Sequence, residues 1–430
     1  MKVIGIDIGT TSICGVVLDA ESGNVLKAKT VNSDAFINTP NEWEKIQDAE
    51  KIIGIAIEIL DSLLKEFDGE VIAIGLTGQM HGIVYVGAEG NAVSPLYTWQ
   101  DARGNLPYKN TTYADYLGSF SGYGNVTDFY NRENGLVPKH AVTYCTIHDY
   151  LGMVLCGNKK PILHTSDAAS LGLYDVEKSK FDYDYTAQVT DSFAIIGRYN
   201  QIPVSVAIGD NQASVFSTLA DDKDLLINVG TGSQVSIVSK HPITAEGIEC
   251  RPYVDGKYLI VGAALCGGRA YSLLKDFYKQ LFDAANCEGV DVYRLMDKMI
   301  DDKTDTALRV DTRFAGTRAN ANIRGSISNI SVDNLTPSDL TVGVLTGMIE
   351  ELHGLYRAMG EKRNGIVGSG NGVRKNKALV RIAEKVFEGQ LRVPSYIEEA
   401  ACGAALFALV ACGKYRGVSE VQKLIKYSEG

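Results

Sequence analysis

Two short runs in this chain, one at its start and one just past its middle, read alike. The first is Ile4-Gly5-Ile6-Asp7-Ile8-Gly9-Thr10-Thr11-Ser12 and the second is Leu225-Leu226-Ile227-Asn228-Val229-Gly230-Thr231-Gly232-Ser233. Each is an apolar strand that ends in Asp or Asn, then one apolar residue, then a Gly-Thr-x-Ser turn. Each continues into a second β-rich run (Ile13 to Leu18; Val235 to Val238) and then a third strand (Asn24 to Val31; Tyr258 to Gly262). A single Gly-Thr-x-Ser after a strand is read most simply as a hairpin turn. Two copies, each opening the same order of elements, imply an internal duplication.

The later elements correspond as well. Residues 44–67 place Ile46, Ala49, Ile53, Ala56, Leu60, Leu64 and Phe67 at helical spacing. A strand Val71 to Thr77 and the loop Gly78-Gln79-Met80-His81-Gly82 follow. In the second half, Val344, Met348, Leu352 and Tyr356 mark one face of a helix over 341–360. The strand Gly365 to Val367 and the loop Gly368-Ser369-Gly370-Asn371-Gly372 come next, and a last helix runs from about Glu398 to Val410. The pattern predicts two related α/β domains, 1–222 and 223–430, parted by the polar run Asp221-Asp222-Lys223-Asp224, with a cleft between them that closes on substrate. A length of 430 residues fits two or three domains, and 45% hydrophobic residues suffice for packed cores.

Bulk properties exclude several classes. The formal net charge is -10 and no long basic run occurs, which argues against nucleic acid and anionic membranes as partners. No apolar run reaches the ~18 residues of a membrane span, and no signal peptide is visible. Eight cysteines are scattered without a Cys-x-x-Cys pair, against both a zinc site and a disulfide framework. A cytoplasmic protein is the expectation; a homodimer is compatible with the same reading.

A Gly-Thr-x-Ser turn gathers backbone N–H groups and hydroxyls into a concavity that holds anions. Two such turns, Gly9-Thr10-Thr11-Ser12 and Gly230-Thr231-Gly232-Ser233, suit the phosphates of one nucleotide. Asp7, at the end of the first strand, suits Mg²⁺ held through water. Neutral Asn228 in the second copy avoids a second carboxylate near the phosphates. There is no Gly-x-x-x-x-Gly-Lys-[Ser/Thr] loop. Gly368-Ser369-Gly370-Asn371-Gly372 lacks the full dinucleotide spacing and lies deep in the chain, so a loop that lets adenine or ribose approach the backbone is the better reading.

Together these motifs resemble the FGGY carbohydrate kinases, within the larger actin-like (ribonuclease H-like) ATPase fold, over nearly the whole chain and in the expected order. The resemblance implies two actin-like α/β domains with the active site in the cleft, ATP and Mg²⁺ as cofactors, and a small sugar as the partner. Asp7 to Ser12 looks like the first phosphate motif, and Asn228 to Ser233 like the second. Gly368, Ser369, Gly370 and Asn371, with Asn376, look like the adenosine site. Gln79, Met80 and His81 are similar to the sugar-contact loop, and Trp99, Asp101 and Arg103 to the next substrate loop. Gly209-Asp210-Asn211-Gln212-Ala213 resembles the catalytic-base motif, and Ala400 to Ala405 the closing helix. Thr98-Trp99-Gln100-Asp101 and Gly209 to Val215 look more like the sedoheptulokinase group than the xylulokinases. Thr317 stands in Arg313-Phe314-Ala315-Gly316-Thr317-Arg318 where many members carry Gly-Glu-Arg.

Each residue also has a plainer reading. Asp210 follows an apolar strand, Val204 to Ile208, where a carboxylate suits proton abstraction from a sugar hydroxyl; it equally suits capping of the next helix. His81 is either a donor to the sugar or an ordinary loop histidine. Trp99 is a sugar platform or a core aromatic. Asp101 and Arg103 bind hydroxyls or pair with each other. The threonines and serines of the two turns hold phosphate or merely shape the turns. The expected activity is transfer of the γ-phosphate of ATP to a hydroxyl of a small ketose, with sedoheptulose favoured and xylulose or another polyol the alternative. A catalytically silent sugar- or nucleotide-binding regulator and a sugar-independent actin-like ATPase are the readings from other classes.

Overall fold

The computed structural model describes residues 1–183, 185, 187–300, 303–318, 320 and 322–428. The chain forms two compact units. The first takes 1–220, 251–257 and 396–426, and the second takes 221–250, 258–395 and the last residues from 427.

The first unit is built on a sheet whose strands are β1 (Lys2–Ile8), β2 (Ser12–Asp19), β3 (Val25–Asn32), β4 (Val71–Gly78), β5 (Ile195–Tyr199), β6 (Ile202–Ser205) and β7 (Ile208–Gly209). The order is β5-β6-β4-β1-β2-β3, with β7 also on β4. β1 is antiparallel to β2 and parallel to β4. The apolar run at 204–208 is divided rather than continuous. β6 meets β4 at Val204↔Ile74 and β7 at Ile208↔Thr77, while the Val206 N–H between them donates to the Ala194 carbonyl. Helix α1 (Ala49–Glu66) starts where the Asp48 carboxylate accepts from the Lys51 N–H, and it lays Ile52, Ile53, Ala56, Ile59, Leu60 and Leu63 on the sheet. Three further helices matter for the site: α2 (Ile147–Cys156), α3 (Thr165–Ser170) and α4 (Asp210–Thr218).

A helix from late in the chain, Glu399–Ala411, packs on β1, β4 and α4. It is apolar all round, which is the composition of a helix surrounded by protein. Its small residues allow very close approach: a Cβ added at Gly5 would lie 1.9 Å from the Ala401 carbonyl oxygen, and one at Gly75 would lie 1.9 Å from that of Ala404.

The second unit repeats the plan. Its strands are β8 (Leu225–Val229), β9 (Ser233–Ser239), β10 (Ile248–Pro252), β11 (Tyr258–Ala264), β12 (Ile366–Ser369), β13 (Leu391–Pro394) and β14 (Tyr427–Ser428), in the order β10-β11-β9-β8-β12-β13-β14. β8 is antiparallel to β9 and parallel to β12, as β1 is to β2 and β4. Its helices include α5 (Gly267–Ala284), α6 (Pro337–Ala358), α7 (Gly370–Lys375) and α8 (Lys377–Phe387). Its own core gathers Ile227, Val235, Ile260, Leu345, Ile349, Leu352 and Ile382. No helix among the described residues is long and apolar enough to cross a membrane.

Candidate functional site

In the first unit, register brings two carboxylates to one edge of the sheet. Asp7 pairs with Thr77 of β4, and Thr77 pairs with Ile208 of β7. Asp7 thus lies near the C-terminal end of β1, and Asp210 just past the end of β7. C-terminal strand edges of parallel segments are where α/β sheets carry ligands. Asp210 is the first residue of α4; the capping position is Gly209, which has no side chain to cap with. Burial pushes the Asp210 carboxyl above its usual range, opposed by His148, by the Asn211 N–H and by Arg251. Asp7 is pushed up to about 7, first by burial and then by the charges of Asp210 and Glu398. Its Oδ1 is buried without a hydrogen-bond partner. An unsatisfied carboxylate oxygen facing two further carboxylates is a setting that a cation relieves.

The predicted loops meet at Thr10. The Trp99 indole N–H donates to the Thr10 hydroxyl at 2.9 Å, and that hydroxyl donates to Gln79 Oε1 at 3.3 Å. Gln47, which motif reading missed, donates to the Thr10 carbonyl and accepts from Gln79. With its N–H engaged and 47% of its surface exposed, Trp99 offers a ring face. Met80 packs its thioether against Gly209, where a Cβ would lie 2.6 Å from the sulfur. His81 adopts a left-handed backbone, φ 72°, a conformation uncommon outside glycine. Its ring stacks on Tyr123 at 4.2 Å. Its Nδ1–H donates to the Ser170 carbonyl at 2.8 Å, so a neutral ring has Nε2 as an acceptor, not the donor the sequence suggested.

Asp101 and Arg103 come together with each other. Both are 1% exposed. Arg103 holds both Asp101 oxygens at 2.7 and 3.0 Å, donates to Asn131 Oδ1 at 2.6 Å, and lies over the Tyr97 ring. Asp101 also accepts from the Lys45 N–H. The pair braces the loop that carries Trp99.

Behind Asp210 lies a buried polar group absent from the sequence reading. His148 is hydrogen-bonded through Nε2 to Asp167 at 2.9 Å, and Asp149 lies beside them. Burial raises both carboxyls well above their usual range and lowers the imidazole. Nearby, His164 caps α3: its Nδ1 accepts from the Ser166 N–H. Burial lowers His164 to about 4. A folded-state value below the unfolded ~6.5 gives stability that is present above that value and lost as pH falls toward 4. His164→Asn, which keeps a capping acceptor, is therefore expected to remove ~3 kcal/mol of acid destabilisation between those pH values. Urea melts of both proteins at pH 7.5 and 4.5 check this.

In the second unit the equivalent turn is braced differently. The Gly268 N–H donates to the Gly230 carbonyl and the Arg269 N–H to the Thr231 carbonyl, so the start of α5 fastens the turn while Thr231 and Gly232 stay exposed. Asn228 donates to Ser369 Oγ at 2.7 Å, a donor role that an ionised carboxylate in that place could not take. Gly370 has φ 83°, and a Cβ there would lie 2.6 Å from the Val229 carbonyl oxygen. Asn371 is exposed on the first turn of α7. Asn376 caps α8, accepting from the Leu379 N–H.

Comparison with known proteins gives this arrangement a context. The model of the N-terminal domain of the FGGY carbohydrate kinases matches residues 2–112, and that of the C-terminal domain matches residues 225–412. The chain belongs to the FGGY family of carbohydrate kinases. It is an enzyme of that family, an ATP-dependent phosphotransferase with an alcohol group as acceptor. Among relatives of this FGGY kinase, mouse sedoheptulokinase is 28% identical, the alignment covering 94% of this chain and 97% of that one. A xylulose kinase of Staphylococcus epidermidis is 24% identical over 99% of this chain and 91% of its own. The fold matches the crystal structure of xylulose kinase from Rhodospirillum rubrum with a TM-score of 0.84 at 17% identity, over 100% of this chain and 93% of that one.

Proposed function

We propose that this FGGY kinase phosphorylates a small ketose, with sedoheptulose the first candidate and Asp210 the general base. The carrying observation is that Asp7 and Asp210 come to one strand edge, close enough for the charge of Asp210 to raise Asp7, with the Gln79-Met80-His81 loop and the exposed face of Trp99 in the same unit. Asp210 accepts the proton of the attacking hydroxyl. Its raised proton affinity brings it closer to working pH, which strengthens a general base. His81 Nε2 accepts a hydrogen bond from a sugar hydroxyl, and the Trp99 face lies along sugar C–H bonds. In the second unit, the N–H groups and hydroxyls of Gly230 to Ser233 and the Gly368 to Asn371 loop meet the nucleotide. Asp7 would hold Mg²⁺, which when bound would supply charge neutralisation for phosphoryl transfer.

The ketose reading draws on the sedoheptulokinases among the relatives. The xylulose kinases in the same set make xylulose the second acceptor to test. The test is ADP release with Mg²⁺ across free ketoses, aldoses and polyols. A clear preference for sedoheptulose is the expected result. A preference for xylulose or an aldose removes the substrate assignment and leaves the base. Turnover that ignores every sugar removes both.

A further inference from the structure

Two of the three hydroxyls of helix α3 have different tasks. Its sequence is Thr-Ser-Asp-Ala-Ala-Ser, and Ser166, Asp167 and Ser170 are all buried. Polar side chains in a buried six-residue helix need a reason, because each unpaired one is costly. Here each is bonded to a different part of the site. Ser166 Oγ accepts from the Gly209 N–H at 3.0 Å, on the residue that precedes Asp210. Ser170 Oγ accepts from the His81 N–H at 3.2 Å, and the Ser170 carbonyl accepts from the His81 ring. Asp167 is hydrogen-bonded to His148, one of the groups whose electrostatic influence reaches Asp210.

Ser166 and Ser170 are four residues apart, hence on one face and ~6 Å apart along the axis. The face is held from behind: His164 caps the first turn and its ring meets Phe407 edge-on. Met80, next to His81, also packs on Gly209. The base and the substrate loop therefore share one short rigid element: the Ser166 hydroxyl holds the backbone before the base, and the Ser170 hydroxyl holds the His81 backbone while the Ser170 carbonyl holds its ring.

Resting on the ketose-kinase reading, we infer that α3 is the positioning element of the site, with Ser166 fixing the catalytic base and Ser170 fixing the sugar-contact histidine. Neither serine touches substrate. The assignment predicts a crossed kinetic pattern that general loosening of the fold does not produce. Loss of the Ser166 hydroxyl shifts the base and leaves the sugar contacts; loss of the Ser170 hydroxyl does the reverse.

The experiment compares Ser166→Ala and Ser170→Ala with the wild-type protein, using the best sugar of the panel. Ser166→Ala is expected to lower kcat by about 10- to 100-fold with the sugar KM changed less than about threefold, as small displacements of a reacting group do. Ser170→Ala is expected to raise the sugar KM about tenfold with kcat changed less than about threefold. If Ser166→Ala does not fold, Ser166→Cys, which keeps volume and only a weak acceptor, carries the same expectation. Parallel losses in both parameters for both variants, or no loss in either, overturn the assignment while leaving the kinase reading intact. A wild-type protein that turns over no ketose overturns the ketose reading and this assignment with it.

Discussion

Asp210→Asn is expected to lower sugar-dependent turnover by ~10²–10⁴-fold, the range for loss of a positioned general base. ATP binding without sugar should be nearly unchanged, since the base acts on the acceptor hydroxyl. The stability of the same variant separates this role from the plainer one. A helix-capping aspartate loses ~1 kcal/mol when its cap is removed. Asp210 is not the capping residue of α4, and burial is the largest influence on its carboxyl, raising it. A group whose charged form is disfavoured by its surroundings makes the fold less stable at neutral pH, where it must ionise or bind a proton. Asp210→Asn should therefore melt at or above the wild-type temperature while losing turnover. Full turnover in this variant would remove Asp210 from the mechanism. A fall in melting temperature with retained turnover would make it a structural residue.

What was legible in the sequence was local. The Gly-Thr-x-Ser turns after β1 and β8 are visible because a turn, its flanking strands and its terminal Asp or Asn lie within a dozen residues. The same holds for helix α1, whose apolar stripe sets its face. The chemistry around those motifs was less legible, because it depends on contacts between distant parts of the chain. The His81 ring takes its orientation from Ser170, and the Thr10 hydroxyl is shared by Gln79 and Trp99. Nothing near residue 81 says which ring nitrogen is engaged. Asp101 and Arg103 were read as a substrate pair or a mutual pair, and spacing alone cannot choose. Their burial with Asn131, Glu44 and Tyr97 shows the mutual pair. The His148–Asp167 group gives no signal at all, since neither residue sits in a recognisable motif. Helix Glu399–Ala411 was legible as a helix but not in its placement: apolar on every side, it announces no face, and only the structure shows its glycine and alanine positions meeting β1, β4 and α4.

That packing gives the second large effect, best seen by making one chemical change in two places. Gly54 and Gly75 are both interior glycines of regular elements, where alanine is ordinarily the better residue. Gly54 lies on the exposed side of α1, and a Cβ there meets nothing within 4 Å. Gly54→Ala is expected to raise stability by ~1 kcal/mol, the helix-propensity difference. At Gly75, in the middle of β4, the added methyl would lie 1.9 Å from the Ala404 carbonyl oxygen and 2.4 Å from its carbon. Backbone cannot rotate away as a side chain does, so either the sheet or the Glu399–Ala411 helix must move. Overpacking of this kind costs ~1–3 kcal/mol and occasionally more, which outweighs the gain in backbone entropy. Gly75→Ala should thus destabilise by ~3 kcal/mol, reversing the sign seen at Gly54. It should also reach the chemistry. The helix begins next to Glu398, whose charge acts on Asp7, and a Cβ on its Gly403 would lie 1.9 Å from the carbonyl oxygen of Ala213 in α4. Displacing it therefore moves both carboxylates at the strand edge. Urea melts and turnover of the two variants side by side check the argument. Equal stabilities for Gly54→Ala and Gly75→Ala would mean that the helix does not sit against β4 as closely as the structure has it.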